Sequence, residues 1–201
     1  PRWALDYVDS INRILALEPE IVVPSHGPAI IGAEEVVRQL TRYRDAILYV
    51  HDQTLLGMNQ GKDVHTLMQE IQLPSDLDIG ESYGRISWSV RGIYEGYMGW
   101  FDGNPASMFS TPVDSAYPDL VALAGGASAV AALAQTQIDA GDFELALHSA
   151  DIALSAEPDN RRALEARLAA FEGLLADSDN SNEIGWLRHG VRETQAALDQ
   201  L

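Results

Sequence analysis

Residues 33–57 read Ala-Glu-Glu-Val-Val-Arg-Gln-Leu-Thr-Arg-Tyr-Arg-Asp-Ala-Ile-Leu-Tyr-Val-His-Asp-Gln-Thr-Leu-Leu-Gly, and their periodicity decides the fold class. Val36, Leu40, Tyr43, Ile47, Val50 and Thr54 step by 4, 3, 4, 3 and 4. That spacing keeps one apolar stripe on one side of a long helix, expected to end near Gly57. Working back toward the N-terminus, Trp3, Tyr7, Ile11, Ile14 and Leu15 recur at helical spacing, so 3–17 is a second amphipathic helix. Between the two, Ile21-Val22-Val23 is β-branched and bounded by Pro19 and Pro24, which predicts a short buried strand. A helix running into one short strand looks like the last step of an α/β sheet whose earlier strands lie elsewhere.

Beyond Gly57 the pattern stays helical. A short helix is expected over 62–72, a polar loop over 74–84, and a third helix over 85–101 with Ile86, Val90, Ile93, Tyr97 and Trp100 on one face. Ser89, Gly92, Gly96, Gly99 and Gly103 step by 3, 4, 3 and 4 along the same segment. Glycine inside a helix costs about 0.5–1 kcal/mol relative to alanine, so this ridge predicts a close approach by another helix or a partner chain. Asp102-Gly103-Asn104-Pro105 then breaks the helix. Further helices are expected near 114–124, 126–140, 142–156, 159–176 and 182–200.

One repeat stands out. Ala134, Gly141-Asp142-Phe143, Ala146, Ala153-Leu154 and Pro158 match one tetratricopeptide unit. Gly141 closes the first helix, Asp142 caps the second, and alanines let the two approach. A single unit cannot form the groove of a peptide-binding solenoid, so this pair is expected to pack rather than to recognise peptides.

Composition narrows the function. The chain has 201 residues, with 30 Asp+Glu against 13 Lys+Arg and a formal net charge of −17. That charge disfavours nucleic acid and anionic lipid surfaces. No apolar run reaches the roughly 18–20 residues of a membrane span. There is no cysteine, which excludes disulfides and thiolate-ligated metals and leaves the compartment open. From 104 to 159 there is no Lys or Arg but eight acids, which reads as a solvated acidic face rather than a cation loop. The chain opens on Pro1 without Met or a leader-like segment and is expected to be an excised or processed piece.

Few side chains suggest chemistry. Val23-Pro24-Ser25-His26-Gly27-Pro28 puts a histidine on a tight loop after a strand, where metal ligands and catalytic groups of α/β proteins sit. A turn histidine of no consequence fits the same residues, because catalytic zinc needs about three protein ligands. His51 lies beside the apolar stripe and reads as an interior hydrogen-bonded group; His65, His148 and His189 read as surface residues.

Several strings resemble one family. Tyr43-Arg44-Asp45, His51-Asp52-Gln53-Thr54, Asn59-Gln60-Gly61, Ser82-Tyr83-Gly84 and Gly99-Trp100-Phe101-Asp102-Gly103-Asn104-Pro105 resemble the α-helical dimerisation domain of alkyl sulfatases in the metallo-β-lactamase superfamily. Gly125-Gly126 and Gly185-Trp186-Leu187-Arg188 agree with it. The resemblance implies a mainly α fold: a helical dimerisation domain with a tetratricopeptide-like helix pair, preceded by a short αβ remnant of a metallo-β-lactamase fold. Residues 1–31 would be the edge of the catalytic domain and 32–201 the dimerisation domain, with a sub-boundary near 112.

The resemblance also implies a homodimer and a small-molecule sulfate ester as substrate. Two zinc ions would be bound by the intact enzyme, with His26 the last metal ligand and Tyr83 a sulfate contact. The other ligands would lie in an upstream metallo-β-lactamase domain, so this part alone is expected to be inactive. Gly27 stands where alkyl sulfatases usually carry a second His, and Trp88 where they usually carry His. These departures leave open a hydrolase of another ester. A tetratricopeptide-like interaction scaffold without catalysis is the third reading.

Overall fold

The computed structural model describes residues 3–201, and the chain divides into two compact units between Asp102 and Gly103. In the first unit, α1 (Ala4–Leu15) packs on the long α2 (Ala33–Asn59), and α2 also carries α4 (Ile86–Met98). The short α3 (Val64–Glu70) rests on α4. The α2 stripe turns inward along most of its length: Val36, Val50 and Thr54 are buried and Leu40 and Ile47 half-buried, while Tyr43 is exposed. Val50, Leu67 and Val90 form the centre of this unit, with Ile86 and Ile93 packed around them. At the start of α2, Glu34 and Glu35 complement the helix dipole. Hydrogen bonds from Arg38 and then Gln39 hold the Glu35 carboxyl down at about 2.

Three expectations for this unit are corrected. Gly57 does not end α2; it lies inside the helix, where the Leu67 side chain covers it so closely that a Cβ would collide with it. Gly61 is the terminator, at φ +78°: its N–H donates to the Met58 carbonyl (2.9 Å) and the Lys62 N–H to the Gly57 carbonyl (3.1 Å), a Schellman closure. The strand is Ile21–Val22, not a buried 21–23. It pairs antiparallel with Ile30–Ile31, the strands β1 and β2 of a ribbon with Ile21 opposite Ile31. No other strand among the described residues covers it, so Ile21, Val23 and Ile31 are exposed.

The third correction concerns the glycine ridge. Only Gly92 and Gly96 lie within α4, because Gly99 at φ +70° stops the helix after Met98 and leaves Trp100 exposed beyond it. The close approach at Gly96 is internal: a Cβ there would lie 2.8 Å from the Trp3 ring.

The second unit holds two 3-10 turns (Pro105–Met108 and Val113–Ala116), then α5 (Tyr117–Leu123), α6 (Ala127–Asp139), α7 (Phe143–Ala156), α8 (Arg161–Asp177) and α9 (Ser181–Leu198). Each of α6 to α9 packs on its neighbour, and α8 also reaches α6. Alanine fills these contacts: Ala134, Ala146, Ala150, Ala153, Ala163 and Ala170 are fully buried. Where an alanine would be too large, glycine replaces it. A Cβ at Gly173 would sit 2.5 Å from the Phe143 ring, and one at Gly190 the same distance from Phe171.

Gly141 closes α6 as expected, at φ +82°. Asp142 does not cap α7 through its side chain. Its backbone N–H is committed to the Gln137 carbonyl (2.8 Å), completing the Schellman turn of α6, and its ψ of 63° leaves the carboxylate off the helix end. Side-chain caps come instead from Asn160 on α8 and Asn180 on α9. The eight acids between 104 and 159 are all exposed, as a solvated face requires. No single helix among the described residues is long and apolar enough to cross a membrane.

Candidate functional site

The chemistry-bearing residues of the first unit fall in three places. The first is the hairpin loop 23–29. His26 is exposed there, and Gly27 follows at φ +89°, a left-handed conformation that glycine adopts without strain. No hydrogen bond or ion pair among the described residues holds the His26 ring. No group of three or more His, Asp or Glu among the described residues could hold a metal ion. A zinc ion needs about three protein ligands, so one exposed imidazole by itself does not make a zinc site.

The second place is a buried histidine. His51 is 6% exposed, and both ring nitrogens are engaged: Nδ1 with the Asp52 carboxylate and Nε2 with the Tyr97 hydroxyl, each at 2.8 Å. With Nδ1–H donating to Asp52, Nε2 accepts from Tyr97, which satisfies a neutral imidazole. Tyr97 in turn meets the edge of Trp3 at 6.5 Å between centroids. His51 is thus the interior hydrogen-bonded group its position beside the stripe predicts, and it ties α2 to α4.

The third place is a cleft of about 550 Å3 bounded by α1, α2, α4 and the loop before α4. Its walls are mostly apolar and include Trp3, Tyr43, Ile47, Trp88 and Ile93; Arg85 and Ser89 supply polar groups. Tyr43 meets Tyr7 edge-on at 5.8 Å, and burial first, then the neighbouring Tyr7, pushes the Tyr43 phenol up. Arg85 is half-buried at the head of α4, its Nη1 3.8 Å from the Glu81 carboxylate. Tyr83 is 70% exposed on the same loop and does not line the cleft, whereas its neighbours Gly84 and Arg85 do. His26 is not part of the cleft wall either.

The cleft was not read from the sequence. Tyr7 counted there only as a member of a helical stripe, and Tyr43 as a member of a stripe and of the Tyr43-Arg44-Asp45 string. Arg85 carried a signal that went unused: it is the only Lys or Arg between Lys62 and Arg91.

The family model for alkyl sulfatase dimerisation matches residues 63–196. The chain belongs to the alkyl sulfatase dimerisation family. Among relatives, it is 32% identical to a linear primary-alkylsulfatase of Pseudomonas sp., over 96% of this chain and 38% of that protein. It is 29% identical to the alkyl/aryl-sulfatase BDS1 of Saccharomyces cerevisiae, over 86% of this chain and 27% of that protein. Among solved structures, a double mutant of the sec-alkyl sulfatase PisA1 superposes with a TM-score of 0.86 at 27% identity, covering 98% of this chain and 32% of that one. The stereoselective inverting sec-alkylsulfatase Pisa1 from Pseudomonas sp. gives 0.80 at 28% identity, covering 98% of this chain and 31% of that one. The chain therefore spans between 27% and 38% of the length of the alkylsulfatases it matches.

Proposed function

We propose that this chain is the C-terminal part of a zinc-dependent hydrolase of sulfuric esters, contributing dimerisation and one wall of the active site. One observation carries this reading. The chain aligns along nearly its whole length with about a third of alkylsulfatase chains, yet among the described residues no group of three or more His, Asp or Glu could hold a metal ion, where a zinc site needs about three protein ligands. His26 would hold zinc together with ligands from a metallo-β-lactamase domain preceding residue 1. Bound zinc supplies an acidified water and a counter-charge for the ester. Tyr83, exposed on its loop, would present its hydroxyl to a sulfate oxygen. The glycine at 27 gives the loop its left-handed turn and leaves room beside the imidazole.

Dimerisation rests on the family match and on exposed apolar side chains such as Phe109, Val113 and Leu123, each more than 70% exposed. A second reading, a metallo-β-lactamase-fold hydrolase of another ester, draws on Gly27 and on Trp88, which stand where alkyl sulfatases usually have His.

The direct test is zinc content. In the parent enzyme with its upstream domain, His26→Ala should lower bound zinc and lower alkyl sulfate turnover together. Unchanged zinc stoichiometry and activity remove His26 from the site. The 201-residue chain alone, given excess zinc, should not hydrolyse an alkyl sulfate, and light scattering should give a mass near twice 21.9 kDa. Turnover by the lone chain overturns the upstream assignment, and a clean monomer overturns its role in dimerisation.

A further inference from the structure

A buried histidine and a half-exposed tyrosine of the first unit stand as a nucleophile and its base do. His51 Nε2 lies 2.8 Å from the Tyr97 hydroxyl, and Nδ1 of the same ring lies 2.8 Å from the Asp52 carboxylate. An acceptor on Nδ1–H leaves Nε2 as the basic nitrogen, aimed at the phenol. A hydroxyl, a base within hydrogen-bond reach and an acid that orients the base are the parts of an activated nucleophile. Burial separates their roles: the His51 ring is shielded, whereas Tyr97 is 49% exposed and open to a reagent.

Both rings line one pocket of about 190 Å3. Trp3, Gly92 and Ile93 supply its apolar wall, and the first turn of α1, with Asp6, forms another side.

We infer that Tyr97, His51 and Asp52 form an acyl-transfer site, which takes a short, uncharged acyl group from an aryl ester onto the Tyr97 oxygen. As Tyr97 Oη bonds to the acyl carbon, its proton passes to His51 Nε2 and the carbonyl π pair moves onto oxygen. Collapse of that adduct breaks the bond to the aryl oxygen, which leaves with the proton from Nε2. Tyr97 and the aryl ester thus become a Tyr97 acyl ester and a phenol. Water cleaves the acyl-tyrosine by the same route, releasing the acid and restoring the phenol. Asp52 stays ionised throughout and acts through His51, as a positioning residue.

The acceptor decides the donor class. An acyl-tyrosine is itself an aryl ester, so transfer from another aryl ester is nearly balanced, whereas transfer from an alkyl ester runs uphill. The pocket has room for an acetyl or propionyl group and not for a long chain. Asp6 on its wall, within a chain of net charge −17, repels an anionic donor such as an acyl phosphate. The first N–H groups of α1 have no carbonyl partner within the helix, and the Trp3 side chain does not cap them. They offer donors to the developing oxyanion. The inference needs no metal and does not rest on the sulfate-ester reading.

The test uses the 201-residue chain with EDTA present and para-nitrophenyl acetate as donor, followed by nitrophenol release. Saturable release is expected, with a second-order rate constant about a hundredfold above that of N-acetyltyrosinamide, the low end of what a general base contributes. Tyr97→Phe, which keeps the ring beside Trp3, should abolish it. His51→Ala should lower it about a hundredfold, and added imidazole should restore it, a recovery that a purely structural role would not give. Asp52→Asn should lower kcat several-fold with KM unchanged. Gly92 lines this pocket and the larger cleft from the interior of α4, and a Cβ there meets nothing within 4 Å. Gly92→Leu should therefore block release while removing a helix-weakening glycine, with an unchanged or raised melting temperature. Methanesulfonyl fluoride, whose tyrosine adduct is stable, should label Tyr97 and spare Tyr83, although Tyr83 is the more exposed of the two.

Release that survives Tyr97→Phe, or label on Lys62, the chain terminus or Tyr83 in place of Tyr97, overturns the site. A His51→Ala variant that reacts as fast as the unaltered chain, or that imidazole fails to rescue, overturns the role of the histidine as base. Para-nitrophenyl decanoate reacting as fast as the acetate overturns the pocket as the place of the acyl group.

Discussion

The two units bury different kinds of residue. In the second, the buried apolar positions are mostly alanine, and glycines at 173 and 190 let aromatic rings lie against helix backbone. In the first, the buried positions are mostly branched aliphatics, and Trp3, Tyr7, Tyr43 and Trp88 are only partly covered and leave a cleft between helices. Small side chains bring helix axes together, so a core of alanine leaves little room for error or for a ligand. Large side chains at fewer contacts hold helices apart, and the space between them becomes available for binding. The first unit therefore carries the candidate chemistry, and the second reads as a tightly packed support.

The first unit has one place packed as tightly as the second, and it should show the largest effect. Leu67 is 2% exposed and presses on the backbone at Gly57. Leu67→Ala should cost about 2–5 kcal/mol in urea unfolding. A loss under about 1 kcal/mol would mean that the α2–α3 contact is as loose as the cleft and that the contrast between units is overstated.

Adding volume should separate the units next. Ala150, fully buried among α6, α7 and α8, lies in a core cluster with Ala134 and Ala166. Ala150→Leu should destabilise the second unit by about 1–3 kcal/mol. Hydrogen exchange should localise the loss to peptides of residues 103–201. Gly92→Leu in the cleft should leave exchange of the first unit unchanged or slower. Equal destabilisation by the two changes would remove the distinction.

A smaller effect is expected at His51. Its partners Asp52 and Tyr97 both reach solvent and can be rehydrated when the ring is lost. His51→Leu should therefore cost only about 0.5–1.5 kcal/mol, the net value of ordinary hydrogen bonds. A much larger loss would place His51 among the positions that hold the first unit together.

The smallest effect is a pH dependence confined to the first unit. Tyr43 has its phenol raised by burial and by Tyr7, so the folded state keeps its proton longer than the unfolded chain does. The resulting stability is fully present below the ordinary tyrosine value of about 10 and is lost as pH rises through the raised folded value. Tyr43→Phe should flatten that alkaline decline, followed by Trp3 and Trp88 emission. An identical decline in the variant would assign it to other groups.

Much of this molecule was legible in the residue pattern. The heptad-like stripe over 36–54, the turn at 102–105 and the small-residue pattern of 134–158 each predicted a helix or a break that is present. The place of His51 was legible too, because a histidine beside a buried stripe must find partners. The misreadings share a cause. Gly57 and Gly61 look alike as helix terminators, and the ridge Ser89–Gly103 looks continuous, because sequence spacing does not carry φ.

Local periodicity, composition and turn chemistry determined that this chain is helical, acidic and broken after Asp102, since those depend on neighbours within a few residues. Tertiary structure alone decided that Ile21–Val22 pairs with Ile30–Ile31 in an exposed ribbon, that Gly96 yields to Trp3, and that Arg85 is the one charged side chain among the described residues lining the cleft. Each of these joins residues distant in the chain or excludes charges from a shared space. Such relations arise only when helices pack, because burial and electrostatic environment belong to the assembled surface and not to any single segment.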